Sequence, residues 1–571
     1  MPDQRSTGVP ERLARTADDV FGWSELRPGQ LTAMEAVMRG RDTLAVMPTG
    51  AGKSAVYQVP GLLLPGPTVV VSPLIALQRD QIAGLLSHTD APDAVAVNSA
   101  QAAGETEAAW AAVRHGDAEF LFLSPEQLAK DEVIERLVRA APSLFVVDEA
   151  QCVAAWGHDF RPDYLRLAQA AQRVGRPPIL ALTATAAPPV REEIVERLGM
   201  ADPALVVAGF DRPNIALEVR RFLDDTDKRR VVVERAAAEP KPGIVYTATR
   251  RDAEAYAADL AALGLSAAAY HAGLTAGERS RVHDAFLAGE TDVVVATSAF
   301  GMGIDKEDVR FVLHASVPGS LDAYYQEIGR AGRDGGPAVA VLHYRTEDSG
   351  LQRLFATRAP DEDTLGAVAE RVHERDAPAE PDDIAKDTGL TRRRVTAAVN
   401  LLEQAGAVHT EDDGRVRAAP GTTAGEAAAR AAEEAGARRR LEQSRLAMML
   451  GYAETTGCRR RFLLGYFGEP YDAPCGACDM CATPESGSGS ESEPSVVDGV
   501  GGTSEEPSFP AAAPYVSGTR VQHAEWGEGT VMSEEGDRIT VLFESMGYRT
   551  LSLAAIAGKG LLSAAPPPAA S

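Results

Sequence analysis

An apolar run, Thr43 to Met47, stops at Pro48-Thr49-Gly50-Ala51-Gly52-Lys53-Ser54 and a further apolar stretch follows. Strand, glycine-rich turn, helix is the arrangement in which backbone N–H groups and a helix N-terminus can cradle phosphates. Lys53 can then reach the β and γ oxygens and Ser54 can ligate Mg²⁺. The general pattern asks for Gly at position 47, where this chain has Met. About a hundred residues later a second apolar run, Leu144 to Val147, ends in Asp148-Glu149. A buried strand that delivers two carboxylates to its carboxyl end suits a Mg²⁺–nucleotide site, one holding the metal and the other polarising an attacking water. Both halves of an ATP site are therefore expected in one lobe.

Apolar runs separated by helical patterns continue around these two: Thr68 to Val71, Phe120 to Leu123 and Ile179 to Leu182. That alternation predicts a parallel doubly wound sheet over residues 1–207, with ligands at the carboxyl ends of its strands. A second alternating segment, 208–352, offers strands at Gly243 to Tyr246, Ala267 to Tyr270, Asp292 to Ala296 and Val309 to His314. It ends in Tyr324-Tyr325-Gln326-Glu327-Ile328-Gly329-Arg330-Ala331-Gly332-Arg333-Asp334-Gly335. Two arginines three apart on a helical turn face the same way. With a nucleotide on the other lobe, Arg330 and Arg333 could stabilise charge on a transferring phosphoryl group.

Charge bounds the partners. The chain has 571 residues and a net charge of −25, which argues against non-specific adhesion to nucleic acid. A nucleic-acid site must be a local basic or aromatic patch. Trp156-Gly157-His158-Asp159-Phe160-Arg161, directly after the acidic pair, is such a patch. Its rings can stack on bases and its cations can grip phosphates. No run of eighteen apolar residues occurs, so no membrane span is expected, and no secretory h-region opens the chain. Cys458, Cys475, Cys478 and Cys481 cluster while Cys152 stands alone. Four thiolates at that spacing suit a closed structural Zn²⁺ site in a reducing compartment.

The ordered set from Arg27-Pro28-Gly29-Gln30 to Gln326 through Gly335 resembles the RecQ family of superfamily 2 DNA helicases. Its most specific part is Trp156 through Tyr164 (WGHDFRPDY). The resemblance covers about residues 15–352, with a further block at 443–482. It implies two RecA-like lobes, ATP and Mg²⁺ dependence, 3′-to-5′ translocation on single-stranded DNA and unwinding. By the same resemblance Trp23 and Arg27 would sandwich adenine and Gln30 would read its edge. Thr49, Gly50, Gly52, Lys53 and Ser54 would hold phosphates, with Ser54 and Asp148 on Mg²⁺ and Glu149 on the water. Trp156, His158, Phe160 and Arg161 would sense single-stranded DNA, and Arg333 is the better finger of the two arginines. Two positions depart from the family: Trp23 replaces Tyr, and Gln151 replaces His after Asp148-Glu149-Ala150. The second puts the coupling of hydrolysis to DNA work in doubt, since Gln hydrogen-bonds but does not titrate near neutrality.

The remaining segments read as follows. Residues 361–418 have a helix-turn-helix spacing with the turn at Gly389 and a two-stranded wing, and Arg392, Arg393 and Arg394 open the recognition helix. An inserted winged helix that grips duplex DNA is expected there. Residues 438–482 match the RecQ zinc subdomain, and 438–461 carry seven Arg against two Glu. Residues 483–514, rich in Ser, Gly, Glu and Pro, read as a disordered linker. Residues 516–562 resemble the small Tudor-like barrel that ends some UvrD/PcrA-type helicases, where a protein partner could bind. No segment resembles the family's C-terminal HRDC domain. The expected protein is a cytoplasmic, nucleoid-associated helicase acting on single-stranded and forked DNA in repair, recombination or replication restart. Two rivals are an RNA-directed ATPase, disfavoured by WGHDFRPDY and the cysteines, and a winged-helix regulator with a degenerate motor, disfavoured by Lys53, Asp148, Glu149 and Arg333.

Overall fold

A computed structural model describes residues 8–88, 93–154, 162–301, 304, 306–348, 350, 360–375, 377–411, 414–472, 474–482, 515, 519–535, 538–543, 546–553, 556 and 561–564. Two compact units divide the chain, Met1–Ala453 and Glu454–Ser571.

The first unit contains two parallel sheets. The first has β1 (Thr43–Val46), β2 (Thr68–Val71), β3 (Asp93–Val97), β4 (Ala118–Leu123), β5 (Leu144–Val147), β6 (Ile179–Thr183) and β7 (Ala204–Val207). Their order is β3-β4-β2-β5-β6-β1-β7. The central strands are buried on both faces, which is why they read as unbroken apolar runs rather than alternating ones. β3 and β7 escape the sequence reading because Asp93–Val97 and Ala204–Val207 are edge strands with mixed burial. The order places β5, β6 and β1 side by side, so the loops after them converge at one edge of the sheet.

The second sheet has β8 (Ile215–Arg221), β9 (Gly243–Tyr246), β10 (Ala267–Tyr270), β11 (Val293–Ala296), β12 (Phe311–His314) and β13 (Ala338–Tyr344). Its order is β10-β11-β9-β12-β13-β8. These are two RecA-like lobes. The helix Leu321–Ile328 stops before the two arginines, so Arg330 and Arg333 lie on an irregular turn and not on the expected helical one. Within that turn Gly332 stands at φ +56°, where a Cβ would meet Asn214 Nδ2 at 2.4 Å and the Gly336 carbonyl at 2.7 Å.

Helices Glu362–His373, Pro381–Thr388 and Arg392–Gln404 follow, with β14 (Val408–Thr410) paired antiparallel to β15 (Val416–Ala418). Gly389 ends the second of these helices at φ +68°. This cluster has its own core around Leu365, Ile384, Val395 and Leu402. It touches the first lobe through Arg166, whose Nη2 lies 3.2 Å from Glu403 Oε1. A 31-residue helix, Ala424–Glu454, then returns to the second lobe, where the Tyr452 and Tyr324 hydroxyls are 3.2 Å apart.

In the second unit the helix Arg459–Tyr466 packs on a five-stranded antiparallel sheet. The sheet is β16 (Arg520–His523), β17 (Gly527–Glu535), β18 (Arg538–Phe543), β19 (Gly547–Ser552) and β20 (Leu562–Ala564). The Tyr466 and Tyr548 rings lie 5.2 Å apart. It forms a half-barrel with Val521, Val531, Ile539, Val541 and Phe543 inside. The expected linker, 483–514, lies outside the described residues. Among the described residues no helix is long and apolar enough to cross a membrane.

The second lobe makes one sharp packing demand. A Cβ at Gly243 in β9 would come within 2.1 Å of the Phe311 ring. Gly243→Ala should therefore destabilise this lobe by about 1–3 kcal/mol, the usual range for overpacking. A thermal unfolding midpoint unchanged from wild type would contradict this packing.

Candidate nucleotide and zinc sites

The carboxyl ends of β1 and β5 and the turn after Ile328 enclose a cleft of about 510 Å³, within the size range of small-molecule sites. Its floor is the phosphate loop. Gly50 and Gly52 stand at φ +81° and +72°, backbone that a residue with a Cβ adopts only with strain. Both are closely approached from outside the loop. A Cβ on Gly50 would meet Arg333 Cγ at 3.1 Å, and one on Gly52 would meet Gln30 Nε2 at 2.6 Å. The Gln30 amide donates to the Ala51 and Gly52 carbonyls, both at 2.9 Å, and its Oε1 accepts from the Arg27 backbone N–H. Arg27 Nη1 donates to the Gly50 carbonyl at 2.9 Å. Arg27 and Gln30 therefore brace the phosphate loop here. Neither lines the cleft, so the expected reading of a purine edge by Gln30 requires it to give up these bonds. Trp23 does line the cleft, stacked on Phe21 at 4.5 Å, with His88 edge-on to Phe21. Sequence reasoning passed over Phe21 and His88; adjacency to Trp23 was the available signal for Phe21, and nothing local marked His88.

Lys53, Ser54, Asp148 and Glu149 share the cleft with Arg330 and Arg333. Lys53 Nζ rests 3.5 Å from the Met47 carbonyl. Among the described residues the buried Thr49 hydroxyl has no hydrogen-bond partner, and it lines the same space, a polar group that fits an incoming phosphate oxygen. Burial and the neighbouring Glu149 charge push Asp148 up to about 6, against the opposing pull of Lys53 and of Gln81. A carboxylate made costly in this way fits a site that receives a divalent cation. Gln81 Nε2 donates to Asp148 Oδ2 at 3.2 Å and its Oε1 accepts from the Tyr57 hydroxyl at 3.4 Å.

Gln151 has a defined place. It is fully buried. Its amide donates to Glu149 Oε2 at 2.7 Å, and its Oε1 accepts from the Thr183 hydroxyl at 2.6 Å. It thus bridges the acidic pair to the end of β6. Trp156, His158, Phe160 and Arg161 lie outside the described residues. The segment resumes at Pro162, and the Tyr164 hydroxyl donates to the Asp148 carbonyl at 3.2 Å.

In the second unit Cys458, Cys475, Cys478 and Cys481 bring their sulfurs within 4.8 Å of one another. Cys458 precedes the first turn of the helix Arg459–Tyr466, and Cys478 and Cys481 flank a turn closed by the Cys481 N–H on the Cys478 carbonyl. Arg459, buried, holds Asp479 between the latter two through bonds of 2.6 and 2.9 Å. Four soft donors with a fixed second layer fit Zn²⁺. In the first unit the exposed Arg392 and Arg394 are tied to Asp382 and Asp361 at 2.9 and 3.2 Å, and Arg393, also exposed, makes no ion pair among the described residues.

Two lobes enclosing such a cleft define a nucleotide-driven motor of the helicase type. Residues 27–194 match the DEAD/DEAH box helicase family and 227–335 the helicase conserved C-terminal domain. Residues 423–482 match the RecQ zinc-binding family, and 516–559 a protein family of unknown function, DUF3553. The chain is 34% identical over 476 residues to the probable ATP-dependent DNA helicase RecS of Bacillus subtilis, covering 82% of this chain and 91% of that protein. It is 34% identical over 477 residues to the ATP-dependent DNA helicase RecQ of Pasteurella multocida, covering 83% of this chain and 63% of that one. The crystal structure of the DUF1998 helicase MrfA bound to DNA and AMPPNP is similar in fold, with a TM-score of 0.51 at 18% identity over 74% of this chain and 63% of that chain. The chain belongs to the RecQ family of ATP-dependent DNA helicases.

Removing the metal tests the four-cysteine site. Zn²⁺ should be found at one per chain, and stripping it with a chelator should unfold the helix Arg459–Tyr466, lowering helicity and exposing the face it packs on the half-barrel. Soluble, folded protein with no bound metal would contradict the assignment.

Proposed function

We propose that the protein couples ATP hydrolysis to 3′-to-5′ translocation on single-stranded DNA and to unwinding of forked duplexes, in repair, recombination or replication restart. The observation that carries this reading is the packing of Arg333 on Gly50: an arginine of one lobe stands over the phosphate loop of the other. In this reading the loop N–H groups and Lys53 hold the β- and γ-phosphates, while the Trp23 side of the cleft takes the base. Ser54 and Asp148 would hold Mg²⁺, which would supply positive charge against the phosphate oxygens. Glu149, oriented by the Gln151 amide, polarises the attacking water. Arg333 stabilises the charge that develops on the γ-phosphoryl group, and such arginines contribute on the order of 10³–10⁵ in rate.

Coupling to DNA has a physical basis in Gln151 and Tyr164. Trp156 through Arg161 run between Ala154 and Pro162, and Tyr164 beyond them is bonded to the Asp148 carbonyl. Bases stacking on Trp156 and Phe160 would pull on the chain leading to Tyr164, which is bonded to the Asp148 backbone carbonyl. Gln151 transmits a shift of Glu149 to Thr183 without titrating, so this link should keep its form across neutral pH. In this reading Arg392, Arg393 and Arg394 of the winged-helix module would meet duplex phosphates, Arg393 being the one of the three without an ion pair among the described residues. The half-barrel is proposed as a docking site for a protein partner, and the working location as the nucleoid.

Unwinding of matched duplexes bearing 3′ or 5′ single-stranded tails tests polarity: strand separation should require the 3′ tail. Trp156→Ala or Phe160→Ala should reduce DNA stimulation of ATPase more than the basal rate, as stacked bases contribute about 1–3 kcal/mol each. Unwinding from 5′ tails, or equal loss of basal and stimulated rates, would overturn the reading.

A further inference from the structure

Between β7 and β8 the chain crosses from the first lobe to the second through Phe210-Asp211-Arg212-Pro213-Asn214. Arg212 uses both terminal nitrogens there. Nη1 donates to the Thr49 carbonyl in the phosphate loop and to the Gly329 carbonyl, both at 3.3 Å. Nη2 donates to the Ala331 and Gly332 carbonyls at 2.8 and 3.0 Å. A single guanidinium thus spans the phosphate loop of one lobe and the three residues that lead into Arg333 of the other. The acceptors explain why a cation sits there. Gly329, Ala331 and Gly332 follow the C-terminus of the helix Leu321–Ile328, where carbonyls lack intrahelical partners and positive charge is favoured. Asn214 reinforces the same turn, its amide donating to Gly332 and Gly336 carbonyls at 2.8 and 2.9 Å. The crossing is itself anchored, since the Tyr325 hydroxyl donates to the Phe210 carbonyl at 2.8 Å and Arg191 lies over the Phe210 ring.

We propose that Arg212 is a positioning residue for hydrolysis: by bonding Thr49 and the Gly329–Gly332 turn at once, it sets where Arg333 stands relative to the γ-phosphate. This rests on the reading of Arg333 as the finger. Arg212 does not line the nucleotide cleft, so its effect passes through the turn and not through contact with substrate. A lysine at this position offers one point charge in place of a planar fork and cannot serve acceptors on both lobes with the same geometry.

The test is steady-state ATPase at saturating single-stranded DNA for wild type, Arg212→Ala, Arg212→Lys, Arg333→Ala and the double variant Arg212→Ala/Arg333→Ala, with thermal midpoints recorded for each. Arg212→Ala should lower kcat on the order of 10- to 100-fold, the scale of a small misplacement of a catalytic group, with the KM for ATP little changed. Because the two residues act as one unit, the double variant should be no slower than Arg333→Ala alone. Arg212→Lys should fall between wild type and Arg212→Ala while keeping the wild-type midpoint, which keeps the test decisive if Arg212→Ala does not fold. Losses that multiply in the double variant, a raised KM with unchanged kcat, or wild-type turnover in folded Arg212→Lys would each overturn the proposal. Normal turnover in Arg333→Ala would instead sink the finger reading, whereas slow Arg333→Ala beside normal Arg212→Ala would sink only the role of Arg212.

Discussion

The close approach of Arg333 to Gly50 is the constraint on which the first unit depends. A loop that wraps phosphates needs backbone at positive φ, and glycine supplies it. The same two glycines leave room for Gln30 on one side and Arg333 on the other. Sheet order then does the rest. Because β5, β6 and β1 are neighbours, the acidic pair, Thr183 and the phosphate loop emerge together, and the second lobe completes the cleft with Leu287, Ile304, Gln326 and the two arginines. The turn that carries those arginines closes on itself at Gly332, whose left-handed backbone leaves no room for a Cβ beside Asn214.

Gln151 shows how a departure from the family pattern is accommodated. The position calls for a side chain that gives a hydrogen bond to Glu149 and takes one from the end of β6. An amide does both without a proton equilibrium. The buried Asp148 and the half-buried Glu149 repel, and the cleft answers with Lys53, the Gln81 amide and the Gln151 amide. Lys53, Gln81 and Gln151 therefore each have an electrostatic reason to be there.

Much of this was legible in the sequence, for definable reasons. Buried parallel strands are unbroken apolar runs, so β1, β2, β5 and β9 stand out, whereas the edge strands β3 and β7 do not. Lys53, Asp148 and the four cysteines announce themselves because their chemistry depends on short spacing within one loop or turn. Arg212, Gln81 and His88 were not legible. Their partners are 24 to 163 residues away in the chain, some of them across a lobe boundary, and a lone Arg, Gln or His carries no periodic signal. The spacing of Arg330 and Arg333 matches a helix, but the helix ends at Ile328 and Gly332 in the following turn is left-handed. The packing of the helix Arg459–Tyr466 on the half-barrel was equally hidden, since residues 483–514 separate them in the chain.

The most direct measurement of the central claim, that this cleft is an ATP-hydrolysing site driven by DNA, is ATP turnover with and without single-stranded DNA in wild type and Lys53→Ala. The account predicts DNA-stimulated hydrolysis in wild type, its loss in Lys53→Ala, and single-stranded DNA binding retained in both. Near-normal turnover in purified Lys53→Ala protein would contradict it.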